Sequence, residues 1–465
     1  MRKRLRLLSA LVLAAGLGLL LLGLVGLPAL AASVSRAGGA EDAQRFDKLI
    51  VQNSERMLKE GRQTFRFDTF GSEGFFGGIG LHKALEGARF PGGVGPGVSP
   101  RTALAVGLKV DVEALPDNVR EAIETGKINL DDPATTLTLL QLNAVVGVTG
   151  FFNNPRDIQS GLKSAGIQCA LCHSTVDDSL APGIGKRLDG WANQDLDVGV
   201  IINLAPDLSA VDRLLGIDDA TLRRVLTSWG PGKFDAEVFL DGKGFRPDGR
   251  TAATLIPSAF GLAGHNNHTW AGAWGTVTYW NAFVANLEMH GAPGTFFDPR
   301  LDNAAQFPVA ARAGFGHVSA PPDQDRITPT LAALHFYQLA IPSPKAPAGS
   351  FNQTAAERGR LVFNGPAKCA TCHVPPLFTE PGWNLHTPGE VGIDSFQADR
   401  APDHRYRTAA LAGRLFNRKT DQGRGFFHDG RFKSLMEVVN HYNDFMHLGL
   451  SPQQKSDLVE YLKSI

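Results

Sequence analysis

Cys369-Ala370-Thr371-Cys372-His373 is a C-x-x-C-H pentapeptide, and Cys169-Ala170-Leu171-Cys172-His173 repeats it 200 positions upstream. Two thiols one helical turn apart suit thioether bonds to the vinyl groups of a porphyrin, and the adjacent imidazole reaches the iron from the same side. The spacing therefore predicts two covalently bound haems c. Cys169 and Cys172 hold one, Cys369 and Cys372 the other, with His173 and His373 as proximal iron ligands. Two other chemistries use such thiols. A zinc site needs both pairs to meet around one ion, and a thioredoxin-like pair gives no reason for a His after each. All four cysteines of the chain lie in these two motifs, which favours haem.

The surrounding chain is that of an ordinary globular protein. Its 465 residues suffice for two or three domains, and 43% hydrophobic with 20% charged residues argues against wholesale disorder. Arg2 to Arg6, the apolar run Leu7 to Leu27 and Ala29-Leu30-Ala31 read as an export signal over residues 1–31. The apolar run is long enough to serve instead as a retained membrane anchor, the single expected membrane contact. Either way the body lies outside the cytoplasm, in the periplasm or its equivalent, the compartment that suits haem c attachment. Without Arg2, Lys3, Arg4 and Arg6 the balance of 46 basic and 46 acidic residues becomes a net charge of −4. That excludes a field attracting nucleic acid and leaves small molecules and redox proteins as partners.

Periodicity predicts a mainly α fold of two cytochrome c-like haem domains, the first enlarged by an insertion. A helix over 41–66 carries Phe46, Leu49, Ile50, Met57 and Leu58 as an apolar stripe. It ends in Gly61-Arg62-Gln63-Thr64-Phe65, which returns as Gly359-Arg360-Leu361-Val362-Phe363 just before the second C-x-x-C-H. In the first copy the interval to the cysteines is far longer, so an insertion at about 71–157 separates helix from haem; it reads as a covering element. Within it Ala103 to Val112 alternates like a strand, and the apolar run Leu137 to Val148 fits helix or strand. Further helices are expected over 208–229, 279–289 and 331–341. The first domain thus spans 34–341 and a Pro- and Gly-containing linker 342–350. The second spans 351–465, with a capping signal at Thr354 and Glu357 and a closing helix from Ser451.

The halves share further parts. Arg250-Thr251-Ala252-Ala253 matches Arg407-Thr408-Ala409-Ala410, and a His follows each, His268 in the first half and His428 in the second. The distal position decides the chemistry: iron with two protein ligands passes electrons, and an open face binds peroxide or oxygen. For the second haem His428 ranks first as iron ligand, ahead of Tyr406, His404, Met436 and Met446; for the first, His265, His268 or no protein ligand remain. The alternative for each His is a structural imidazole in a turn. The tryptophans Trp191, Trp270, Trp274 and Trp280 read first as core or haem-wall residues.

These residues resemble the bacterial di-haem cytochrome c peroxidase superfamily, with its MauG-like enzymes and di-haem rubber oxygenases. The resemblance is clearest from Ala356-Glu357-Arg358-Gly359-Arg360 through the second C-x-x-C-H to Arg407-Thr408 and Phe427-His428-Asp429-Gly430-Arg431-Phe432, about a quarter of the chain. It implies a division of labour. The His373 haem would accept electrons and the His173 haem would react with peroxide or oxygen, with Trp191 or Trp270 between them. The chain departs from the peroxidase pattern in three places. No His occurs in Ser174 to Trp229, where a distal His is usual; His404-Arg405-Tyr406 stands where many members have a ligating Met; and Ala409-Ala410 replaces a Pro near an inter-domain calcium site. The last argues against calcium, and the second favours a His-ligated second haem as in the rubber oxygenases.

The expectation is therefore an exported di-haem c-type cytochrome with peroxide- or oxygen-dependent oxidoreductase activity, His268 serving as acid/base group and a small redox protein as electron donor or acceptor. The alternative is a non-enzymatic electron carrier. Oxidation of a hydrophobic organic or protein substrate is a third reading, suggested by the insertion and its aromatic residues.

Overall fold

The computed structural model describes residues 36–272, 274–416, 419 and 423–465. The export signal or anchor lies outside them, and among the described residues no helix is long and apolar enough to cross a membrane. The chain divides into two compact units, one ending at Ser54 and the other running from Glu55 to the last residue. α1 (Arg36–Phe67) contributes to both. In the first unit Phe46, Leu49 and Ile50 are exposed, and in the second Met57 and Leu58 are half-buried.

The second unit is mainly helical. The elements that bear on its sites are α2 (Glu73–Gly78), α3 (Pro133–Gln141), β1 (Val148–Phe152), β2 (Leu162–Ile167), α4 (Ala170–His173), α5 (Val277–Phe283), α6 (Thr328–Ala340), α7 (Gln353–Asn364), α8 (Leu435–Phe445) and α9 (Pro452–Ser464). The strands among the described residues pair only two by two, and β1 lies antiparallel to β2 with Val148 opposite Ile167.

Local start signals explain most boundaries and two departures. Ser451 opens α9 with a capping box closed by Gln454. The strand expected over 103–112 is instead a helix, Pro100–Ala105, followed by a two-residue strand at Val110–Asp111. Ser99 accepts a hydrogen bond from Thr102 N and Pro100 presets the first turn, and together these outweigh the loose alternation. The ambiguous run from Leu137 belongs at first to α3, capped by Asp132. α7 begins one residue before the Thr354 signal, because Asn352 accepts from Ala355 N at 2.9 Å and caps it.

The repeated Gly-Arg-x-x-Phe has a packing reason. A methyl on Gly61 would stand 2.6 Å from Tyr337 Cβ of α6 and collide with the Ala333 carbonyl; one on Gly359 would stand 2.8 Å from Tyr461 Cβ of α9 and collide with the Asp457 carbonyl. One turn on, Phe65 lies edge-on to Tyr337 at 5.7 Å and Phe363 edge-on to Tyr461 at 5.2 Å. An opening and a closing helix therefore cross by the same contact twice, backbone against backbone at a glycine and ring against ring beside it. Gly359→Ala and Gly61→Ala should each cost about 2 kcal/mol of stability through overpacking, read as a lower denaturant midpoint. Gly389→Ala, where a methyl meets open space, is the control and should be neutral.

One charged cluster ties sequence-distant segments. Arg400 is fully buried and grips Asp241 with two bonds, Nε to Oδ2 at 2.8 Å and Nη2 to Oδ1 at 3.0 Å, and Asp235 Oδ1 at 2.9 Å. It also donates to the carbonyls of Lys243 and Ala252. Glu237 and Glu288 are buried nearby, so one guanidinium serves four carboxyls. Burial pushes Asp235 up to about 7 against the pull of Arg400, and raises Glu237 as well.

Candidate haem centres

At the second C-x-x-C-H, α7 runs into a single 3-10 turn, Cys369–Thr371, which sets Cys369 and Cys372 on one side of the backbone. His373 Nδ1 lies 3.1 Å from the Phe378 carbonyl, with the Ala409 backbone also hydrogen-bonded to the ring. A ring that donates from Nδ1 keeps the lone pair of Nε2 for a metal. Burial lowers the proton affinity of His373, so the imidazole is neutral as ligation requires.

These groups open on a cavity of about 250 Å³ whose walls include Phe363, Leu435, Val439, Leu458 and Leu462 from α7, α8 and α9. His428 is in the same wall, 2% exposed, and its Nε2 has no hydrogen-bond partner. Leaving a buried polar nitrogen unpaired costs about 1–3 kcal/mol, so it calls for an explanation. A metal in the cavity would supply one. Burial brings His428 down to about 4, hence neutral. Tyr406 stacks on the His428 ring at 5.4 Å and gives its hydroxyl to the Asp394 carbonyl at 2.8 Å. Met446 is also in the wall; His404 and Met436 are not part of it.

At the first C-x-x-C-H, the motif forms α4 and His173 Nδ1 lies 3.1 Å from the Pro257 carbonyl, again leaving Nε2 free. Burial brings His173 down to about 4. A methyl on Gly147, ahead of β1, would collide with the Leu171 backbone, so the β1–β2 hairpin lies directly on the motif. Cys169 packs with Phe65, Phe70, Phe260, Met289 and Trp191. Asp189 locks the base of the site, accepting from Ser174 Oγ at 2.9 Å, Arg66 Nε at 2.6 Å and Tyr337 Oη at 2.5 Å.

The alternatives to haem fare poorly on this chemistry. Burial pushes the thiols of Cys169, Cys172 and Cys369 up to about 12, the reverse of the depressed value that a redox C-x-x-C needs. No group of three or more close His, Cys, Asp or Glu ligand atoms among the described residues joins the two cysteine pairs. Cys372, Glu380 and His386 do lie close, yet His386 Nε2 is already bonded to Glu380 at 2.6 Å.

His268 lies beside His265, ring centroids 6.3 Å apart, and burial with the charge of Arg407 holds them down to about 3 and about 4. Arg407 belongs to the wall of the second cavity and donates to the Thr269 carbonyl, so the His268 loop is anchored on the second site. Trp270 lines that cavity too, its indole N–H donating to the Leu255 carbonyl at 2.7 Å. Trp191 stays with the first site.

Three residues that sequence patterns do not flag connect the centres. Leu255 N donates to the His428 carbonyl at 2.7 Å, Leu255 and Ile256 line the second cavity, and the Pro257 carbonyl holds His173. The functional atoms are main-chain, so no side-chain pattern announces them. The short R-T-A-A match is out of register with this geometry. Ala409 meets His373 from within its segment, whereas Pro257 meets His173 from beyond Arg250–Ala253.

A helix-crossed pair of thiol and imidazole sites, each imidazole tied by one nitrogen to a carbonyl, is the arrangement of a protein that holds haem iron. Comparison with known proteins gives the same class. The chain is 24% identical over 268 residues to a cytochrome-c peroxidase, IdrP1, of Denitromonas iodatirespirans, covering 46% of this chain and 68% of that one. It is 26% identical over 227 residues to the methylamine utilization protein MauG of Methylorubrum extorquens, covering 42% of this chain and 62% of MauG, less than two thirds of its length. No protein-family model matches. Among solved structures, a MauG-like protein associated with microbial copper homeostasis shares 19% identity at a TM-score of 0.28, covering 49% of this chain and 76% of that one. Kuenenia stuttgartiensis hydrazine synthase shares 18% at 0.25, covering 50% and 86%. Those TM-scores are too low to define a shared fold. The chain is related to the MauG-like di-haem cytochrome c peroxidase superfamily.

Proposed function

We propose that the chain carries two haems c, one on each motif, in cytochrome c-like domains over 34–341 and 351–465, and works as a redox enzyme outside the cytoplasm. The observation that carries this reading is the second cavity. Two thiols, the His373 ring and a buried His428 ring with Nε2 unpaired share one largely apolar space. Bound haem iron would supply one-electron transfer and, where a coordination position is open, reaction with peroxide or oxygen.

The chain's own residues divide the work. His173 and His373 would each hold one haem iron and His428 would be a second protein ligand at the His373 site, whose chemistry would then be electron relay from a small redox donor protein. Trp270 and the Leu255–Pro257 segment stand between the sites and would shorten the electron's path to the first, where peroxide, oxygen or an organic substrate would react. His268, neutral and deep beside Arg407, is the proposed acid/base group.

The test is a haem assay and a ferric spectrum of the purified protein. Two haems per chain are expected, and His428→Ala should convert one haem fully from low-spin to high-spin while haem content stays unchanged. An unaltered spectrum in that variant would remove His428 from the iron.

A further inference from the structure

The far walls of the two sites repeat in a way visible only in the fold. In the second, α8 starts from the cap Ser434 and ends at Met446-His447, His447 taking φ 51°. Met446 lines the cavity and His447 is exposed. In the first, α5 starts from the cap Thr276, continues through a π turn at Val284–Glu288 and ends at Met289-His290, His290 taking φ 52°. The span from cap to methionine is one residue longer, the insertion that a π turn absorbs. His447 is exposed, whereas the His290 ring is half-buried between aromatic side chains.

The His290 ring stacks on Phe75 of α2 at 3.8 Å and 20° and stands edge-on to Phe239 at 5.4 Å and 85°. Phe75 and Phe239 belong to the same hydrophobic cluster as Leu171 and Cys172, and Met289 packs in the cluster of Cys169. Just beyond, Ala292 N donates to the Phe70 carbonyl at 3.1 Å, beside Asp68, whose charge acts on Cys169. The segment thus shares hydrophobic clusters with both thiols of the first motif.

His290 also has the chemistry of an iron ligand. It is half-buried, as Cys169, Cys172 and His173 are. No hydrogen bond of either ring nitrogen is present among the described residues. His173 spends one nitrogen on a carbonyl, the proximal pattern; His290, clamped between two aromatic rings, spends none.

We propose that His290 is the distal ligand of the first haem iron in the resting ferric protein, displaced when a reactant binds there, an inference that rests on the two-haem reading of the function. The aromatic clamp fixes the ring plane, and the insertion that supplies Phe75 acts as part of the site.

The test uses the full haem-loaded chain and its His290→Gly variant, since glycine keeps the positive φ without strain. Wild type should contain two haems, both low-spin when ferric. The variant should keep two haems, show one of them high-spin, bind about one carbon monoxide per chain, and regain the low-spin spectrum when imidazole is added. A first haem already high-spin in the ferric wild type, or a variant whose spectrum does not change, would overturn the proposal. Fewer than two haems in wild type would instead defeat the reading beneath it. Should the glycine variant not accumulate, His290→Met is the second variant, expected to keep both haems and shift one to the spectrum of His/Met ligation.

Discussion

Replacing Cys369 and Cys372 together by alanine is expected to halve the covalent haem of the chain and to leave the first site spectrally intact. The thiols of each motif lie in separate hydrophobic clusters, Cys369 with Phe363 and Leu458, Cys169 with Phe65 and Phe260. Each site therefore loads by itself. The emptied second cavity of about 250 Å³ would be a large void in an apolar wall. Unfilled volume costs about 24 cal/mol per Å³, so the second half should lose several kcal/mol and become the first part cut by protease. Haem staining of a denatured gel, a pyridine haemochrome titration and limited proteolysis read all three consequences. Staining unchanged in the double variant would contradict covalent attachment at this motif.

The other large effect is expected at Arg400. Arg400→Met keeps most of the volume but takes the guanidinium from the buried Asp235, Glu237, Asp241 and Glu288, with Lys243 Nζ still 3.9 Å from Asp241 Oδ2. Breaking a buried pair in this way costs about 3–5 kcal/mol. The loss should depend on pH with a definite sign. Burial already raises Asp235 to about 7 and lifts Glu237, and removal of the guanidinium raises both further. Carboxyls whose affinity for protons is higher in the folded state stabilise it below their ordinary range near pH 4 and withdraw that support as the pH rises. The deficit of the variant should then be small near pH 4.5 and grow toward pH 8, measured as denaturant midpoints at both. An equal deficit at the two pH values would assign the effect to packing.

The sequence was informative where the determinants are local. Two cysteines and a His in five residues declare their chemistry without any tertiary knowledge. α6 and α9 fall within a few residues of expectation, since Pro at the helix start and the Ser451–Gln454 capping box act within one turn. The Gly-Arg-x-x-Phe repeat was visible as a string, but its meaning, a glycine giving way to a facing helix, needed the partner helix. His290 was hidden at the end of an expected helix over 279–289, because a π turn leaves no mark in apolar periodicity and its ring partners are distant in sequence. Arg400 was one arginine among many, since four acids spread over more than fifty positions define it only when folded together. His265 and His268 were read toward the first motif, and the structure anchors their loop on Arg407.

Leu255, Ile256 and Pro257 grip one imidazole ring at one end and the main chain behind another at the other end. Such a span behaves as a tie rod. Peptide planes do not stretch, so a displacement of the His173 ring must either be taken up within two peptide units or be delivered to the turn that carries His428. The two centres are therefore coupled through backbone, while the Leu255 and Ile256 side chains on that rod serve the wall of the second cavity.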